Sequence, residues 1–306
     1  MNRPAARPAA STHSTRNPSI GGGSGPIVTP KDSPSSLSSP PVRITPSRLD
    51  QIASRLADED RAVLSWLADV RVATGAQLAR RFWGAQEPMD VRARAARRTL
   101  RRLEEWRVID RLAHRVGGVR RGSSSIVYGV GRAGQRLMAR EGFEVRRLAA
   151  PGDRYVAHTL AITELCVRLH EATLNGDLDL IALQTEPYCW RGHLSLMGSR
   201  VVLKPDLFVR IGVGALEDRW FVEVDLATES RPTITAKATR YLAHFRSGEE
   251  QREHGVYPRV IWTAPTPHRA EQLTDAIGHL PEAAQRLFVV WLYDEVIGRL
   301  AAEATP

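Results

Sequence analysis

Residues 90–106 hold six arginines, Arg92, Arg94, Arg97, Arg98, Arg101 and Arg102, with no proline or glycine among them. At 100° per residue, Ala93, Ala96, Leu100 and Leu103 form one apolar stripe, and Arg94, Arg98, Arg101 and Arg102 lie on the opposite face. The segment, about Asp90 to Trp106, is therefore expected as a helix with one face packed on a scaffold. The small alanines permit close approach to another helix, and the cationic face stays open. Most charge runs are solvated surface and nothing more. Position is what gives this one a possible job, because arginines on a helix presented to DNA contact phosphates or bind guanine in a bidentate manner.

The surrounding pattern supplies that position. Asp58 is expected to cap a helix with Ala62, Val63, Trp66, Leu67 and Val70 on one face. Thr74 caps a shorter one carrying Leu78, Ala79 and Phe82. After the arginine helix come a strand at Val108–Leu112, turns at Gly117-Gly118 and Gly122-Ser123, a second strand at Ile126–Val130, and a closing helix from Ala133 to Arg140. Three helices followed by a β-hairpin is the winged helix-turn-helix order. The hairpin carries Arg115, Arg120 and Arg121 where a wing would meet phosphates. The expected DNA-binding set is Arg94, Arg98, Arg101, Arg102, Arg120 and Arg121, and the expected partner is double-stranded DNA. No aromatic platform of the single-strand-binding type is evident.

Charge divides the chain in the same place. Residues 1–150 carry 27 Lys and Arg against 13 Asp and Glu; residues 151–306 carry 16 against 21. The basic half reads as the polyanion binder. Only Lys31, Lys204 and Lys237 are lysine, so a lysine kept against this arginine bias is worth following for its chemistry. Residues 1–45 are rich in Pro, Ser, Gly and Ala and read as a disordered tail. Residues 46–148 form the expected winged-helix domain, and 153–297 the second domain, after a linker near Ala149-Ala150-Pro151-Gly152. Two cysteines, Cys166 and Cys189, cannot build a disulfide framework or a four-cysteine zinc site. No apolar run reaches the roughly 18–20 residues of a membrane span, and no signal peptide is evident. A cytoplasmic protein without membrane contact is the expectation.

The second domain reads as three-layer α/β: a helix at Val156–Glu171, strands at Leu180–Gln184, Val201–Ile211 and Trp220–Leu226, a helix at Thr233–Phe245, a strand at Val260–Thr263, a helix at Arg269–His279 and a strand at Leu287–Leu292. Lys204-Pro205-Asp206 and Glu223-Val224-Asp225 lie on neighbouring strands, and Gly212-Val213-Gly214 marks a turn that brings Asp206 beside the second pair. Alternation puts Glu223 and Asp225 on one face. Lys237 and Tyr241 share a helical face four residues apart. Converging carboxylates can hold Mg²⁺ or Mn²⁺, which would activate water. His158 and His170, twelve residues apart, have no metal-ligand spacing and read as capping or surface histidines.

This pattern resembles the PD-(D/E)xK nuclease superfamily, with a restriction-endonuclease-like second domain. The resemblance rests on Glu164 of the first helix, Pro205-Asp206, and Glu223 as the second acid. It implies Asp206, Glu223 and Lys237 as catalytic residues and Glu164, Asp206 and Glu223 as metal ligands. Asp225 stands where the superfamily's lysine would fall, two residues after Glu223, so Lys237 would be a lysine supplied from the next helix.

The whole arrangement, over roughly residues 55–295, resembles the replication-relaxation family of actinobacterial plasmids and mobile elements. The residues that carry it are Gln77-Leu78, Tyr128-Gly129-Val130, His158-Thr159-Leu160-Ala161, Glu223-Val224-Asp225, Thr228-Glu229, and Lys237 with Tyr241. It implies a role in plasmid replication and relaxation beside replication or transfer proteins. Two functions stay open: a DNA-binding protein whose nuclease-like domain is degenerate, and a Mg²⁺-dependent endonuclease guided by the winged helix.

Overall fold

The computed structural model describes residues 43–84, 89–116, 125–143, 151–195 and 197–304. Residues 44–306 belong to one compact unit. The expected tail, the Gly117-Gly118 and Gly122-Ser123 turns, Arg120, Arg121 and the start of the linker lie outside the described residues, apart from positions 43–45 of the tail.

The first half runs α1 (Pro46–Ala53), α2 (Asp58–Val70), β1 (Val72–Thr74), α3 (Gly75–Trp83), α4 (Met89–Glu105), β2 (Ile109–Val116), β3 (Ser125–Val130) and α5 (Arg132–Arg140). The cap of α2 differs from expectation. Asp58 is already helical, and the Asp60 carboxylate accepts a hydrogen bond from the Ala57 amide (3.1 Å). Three acids in that first turn complement the helix dipole. A capping box starts α3: Thr74 Oγ1 accepts from the Gln77 amide (3.1 Å), and Gln77 Oε1 accepts from the Thr74 amide (2.9 Å). In α4 the stripe is buried as periodicity requires, with Ala96, Leu100 and Leu103 in the core. Arg94, Arg97, Arg98 and Arg101 are exposed. The strands form a three-stranded antiparallel sheet in the order β1-β3-β2. The three-residue β1 carries too short a pattern to be read from sequence.

The second half runs α6 (Asp153–Asn175), β4 (Leu180–Thr185), β5 (Arg191–Leu194), β6 (Arg200–Leu203), β7 (Leu207–Val213), β8 (Leu216–Val224), α7 (Arg231–Ser247), α8 (Glu249–His254), β9 (Arg259–Ala264), α9 (Pro267–Ile277), α10 (Glu282–Gln285), β10 (Phe288–Leu292) and α11 (Val296–Glu303). This is a mixed α/β arrangement. The five-stranded sheet has the order β10-β9-β8-β7-β4, parallel from β10 to β8 and antiparallel from β8 to β4. Alternation sends Trp220, Val222 and Val224 to the side of α6 and α11, and Phe221 to the side of α7 and α9. The expected strand Val201–Ile211 is in fact two. Pro205 has no amide hydrogen to give a ladder, and the chain leaves the sheet at Lys204-Pro205. Its first part, β6, pairs instead with β5 in a separate two-stranded ribbon.

Helix α6 ties the halves together. It buries residues around most of its circumference, from Val156 to Ala172, as a helix enclosed by neighbours must. Thr163 Oγ1 donates to the Val72 carbonyl (2.8 Å), and Gln77 Nε2 donates to the Leu160 carbonyl (3.0 Å). Arg80 of α3 pairs with Glu164 (2.6 Å) and Glu171 (2.5 Å). One apolar cluster runs from Leu49 and Leu103 of the first half through Leu165 to Trp220 and Leu300 of the second. Leu165→Ala should lower stability by about 2–5 kcal/mol, the cost of emptying a buried leucine site. In urea monitored by tryptophan fluorescence and far-UV circular dichroism, both halves should then unfold earlier in a single shared transition. Two separate transitions would contradict the shared core.

Candidate functional site

Two places carry the residues that the sequence singles out. On α4, Arg94 pairs with Asp90 on the preceding turn. Arg101 pairs with Glu105 (3.0 Å). Both are exposed i,i+4 pairs of the kind that contributes a fraction of a kcal/mol and yields readily to another partner. Arg98 has no ion-pair partner among the described residues. Arg102 differs. Its guanidinium turns inward onto the fully buried Asp60 (2.5 Å) and packs 5.4 Å from the centre of the Trp106 ring. It neutralises the carboxylate that caps α2, which is a structural task.

The second place is where β7 and β8 meet α6 and α7. The β7–β8 register pairs Leu207 with Val222, and continuing it sets Asp206 opposite Glu223. Both acids are buried. Asp206 Oδ2 accepts from the Val224 amide (2.7 Å), and His158 Nε2 stands 3.4 Å from the same oxygen and 2.9 Å from the Val224 carbonyl. Glu223 accepts a hydrogen bond from the Tyr241 phenol on one oxygen, and Lys237 Nζ lies 2.5 Å from the other. The four-residue spacing of Lys237 and Tyr241 on α7 thus delivers both to a single carboxylate.

Burial pushes the Glu223 carboxyl up to about 8; the Asp206 charge adds to this, and Lys237 and Tyr241 oppose it. Burial also disfavours the Lys237 ammonium, but the charges of Glu223 and Asp206 outweigh it and hold the lysine protonated. At Asp206 burial works against ionisation, yet the His158 hydrogen bond and the Lys237 charge keep its carboxyl below the ordinary range. His158 is raised in turn: burial opposes its proton, and Asp206 more than compensates.

Two acids of the sequence pattern stand apart from this group. Glu164 belongs to α6, six residues beyond His158, which is about 9 Å along the helix and roughly a third of a turn round it. Its carboxylate takes Arg80 and Gln77 (3.1 Å). Asp225 lies beyond the end of β8, in a buried bidentate pair with Arg269 of α9 (2.8 Å to each oxygen). Sequence reasoning read His158 as a capping or surface histidine, whereas the residue partners Asp206, and it passed over Arg269. Their partners lie 48 and 44 residues away, and no local spacing links them. Of the other histidines, His170 meets Arg81 (2.9 Å), and the fully buried His244 packs against His193 and Tyr257.

For a divalent cation the donor set fits poorly. Glu223 already spends one oxygen on a phenol and the other on an ammonium, and Asp206 faces an imidazole. Among the described residues no group of three or more His, Cys, Asp or Glu is placed to hold a metal ion. Beside the cluster, a cavity of about 300 Å³ is lined by Val201, Val202, Leu203, Lys204, Glu223, Lys237 and Arg240.

A family model described as Replication-relaxation matches residues 64–260, a span that includes α3, α4, α6 and the whole carboxylate cluster. The chain belongs to that family. No match is found among curated proteins or among solved structures. Among the described residues, no helix is long and apolar enough to cross a membrane.

In this member of the replication-relaxation family, the ion pair at the cluster makes a direct prediction. Above about pH 8, where Glu223 is ionised, Lys237→Met leaves a buried carboxylate without its cation and should cost on the order of 3 kcal/mol. Adding Glu223→Gln should return most of that loss, because the buried charge goes with its partner. Chemical denaturation of the two variants beside the parent checks this. Equal midpoints for parent and Lys237→Met would remove the pair from the fold's support.

Proposed function

We propose that the protein binds double-stranded DNA in the replication of a plasmid or mobile element, presenting α4 to the duplex. The observation that carries this is the division of α4 into a buried Ala96–Leu100–Leu103 stripe and an exposed face of Arg94, Arg97, Arg98 and Arg101. The order of α2, β1, α3, α4, β2 and β3, with the sheet order β1-β3-β2, supports a winged helix-turn-helix in which α4 is the recognition helix. Family membership supports the plasmid context. Arg120 and Arg121, which lie between β2 and β3 in the sequence, are further candidates for phosphate contact.

Arg98→Ala with Arg101→Ala should weaken duplex binding and reduce the slope of log K against log salt by about 0.9 per lost phosphate contact. Arg102→Ala should act on a different axis. Because it strips Asp60 of its cation, it should lower the thermal midpoint. Fluorescence anisotropy over a salt series, paired with thermal unfolding, separates the two effects. Unchanged affinity and slope in the Arg98/Arg101 variant would take α4 out of the interface.

The mixed sheet covered by helices on both faces supports a nuclease-like second domain. The self-neutralised state of its acids favours a degenerate one over a Mg²⁺-dependent endonuclease. Asp206, Glu223 and Lys237 then serve as a structural charge cluster, aided by His158 and Tyr241. Millimolar Mg²⁺ or Mn²⁺ should neither raise the thermal midpoint nor nick supercoiled plasmid. A metal-dependent rise that Asp206→Ala abolishes would reverse this, since only a ligand of the native state stabilises in that way.

A further inference from the structure

The β5–β6 ribbon stands outside the five-stranded sheet, and its contacts run to α7. Its register pairs Gly192 with Val202 and Leu194 with Arg200. Residues directly opposite share a face, so Gly192, Leu194, Arg200 and Val202 make one surface, which Lys204 extends. The burial pattern agrees: these five are exposed, while His193 and Leu203 point inward and are buried. The outer surface therefore carries two cations, two apolar side chains, a glycine and no acid. The Arg200 guanidinium lies across Gly192, about where a Cβ would be in ordinary contact with it (3.7 Å). Leu194 is 63% exposed, and Met197 at the turn is 91% exposed.

The charges here are uncommitted. Many of the described arginines face a carboxylate, but among the described residues Arg200, Lys204 and Arg240 have none within 4 Å. Lys204 Nζ sits 4.3 Å from the centre of the Trp190 ring, which holds the ammonium without neutralising it. Arg240, exposed on α7, shares with Lys204 the lining of the 300 Å³ cavity. The one carboxylate in that lining, Glu223, is already paired with Lys237. Lys204 and Arg240 thus line one cavity, and Arg200 on the outer face of the ribbon adds a third cation with no carboxylate partner among the described residues.

We propose that this ribbon is a second DNA-binding surface, lying against a duplex with Arg200, Lys204 and Arg240 on backbone phosphates. The dimensions suit it. Two strands spaced about 4.8 Å apart, with their side chains, fill a major groove roughly 12 Å wide, which admits a two-stranded ribbon. Arg200 and Lys204, four residues apart on extended chain, are spread over about 13 Å, enough to reach separate phosphates. Leu194 and Met197 give the ribbon an apolar tip for contact with bases. The inference rests on the reading of the chain as a DNA binder, but not on α4.

The test uses the full chain and a fluorescent 30-base-pair duplex, with anisotropy read from low to moderate salt. In the Arg98→Ala/Arg101→Ala background, adding Arg200→Ala, Lys204→Ala and Arg240→Ala should reduce the residual affinity at least ten-fold. The salt slope should fall by about 2.7, from three lost contacts. Arg200→Lys with Arg240→Lys in that background should retain the slope, because charge is what counts. Thermal midpoints should match the background, since the three side chains are exposed. Unchanged residual affinity and slope would overturn the proposal and leave the ribbon to a protein partner. Failure of the α4 reading shows separately, as an Arg98→Ala/Arg101→Ala chain that binds like the parent.

Discussion

Helix α6 is the element on which the rest depends. A helix of 23 residues whose buried positions face several directions must be enclosed, and here the enclosure comes from both halves of the chain. Its Thr163 hydroxyl takes the Val72 carbonyl of β1, the Leu160 carbonyl takes the amide of Gln77, and Glu164 and Glu171 grip Arg80. Gln77 is economical: one end of its amide completes the cap of α3 and the other reaches α6. The orientation of α3, and through it of α4, is therefore fixed by the helix that also floors the five-stranded sheet. On the other side of that sheet, α7 brings Lys237 and Tyr241 to Glu223.

The carboxylate cluster follows the rule for buried charge: each acid needs a partner, and the partner must be buried with it. Asp206 has His158 and a backbone amide; Glu223 has Lys237 and Tyr241; Asp225 has Arg269. The three acids come from neighbouring strands, yet their partners divide among α6, α7 and α9. Each acid is thus compensated by a partner inside the protein. Arg98 on α4 and Arg200 and Lys204 on the ribbon, without such partners among the described residues, are exposed.

Several features were legible in the residues. The Ala93, Ala96, Leu100 and Leu103 stripe set which side of α4 is buried, because helical periodicity is local. The Thr74 cap, the turn after Val213 and the pairing of Lys237 with Tyr241 on one face are local as well. Other features were not. Pro205 was visible, but that the strand before it would leave the sheet and pair with β5 depends on an edge the sequence does not display. A helical wheel puts Arg102 beside Arg98, since it reports angle alone. Only the placement of α2 shows that Asp60 lies within reach of one guanidinium and not the other.

The sequence by itself determined most of the longer elements, the basic and acidic halves, and the acids and lysine of the second half, because each follows from composition or from spacing of a few residues. It left Glu164 grouped with Asp206 and Glu223, since all three are acids in a recognisable order. The tertiary structure decided otherwise for Glu164, which α6 turns toward Arg80, and it supplied His158 to Asp206 and Arg269 to Asp225. The physical reason is the same in each case. Partner choice for a buried charge depends on which groups long-range packing brings within about 4 Å, and no spacing along the chain encodes that distance.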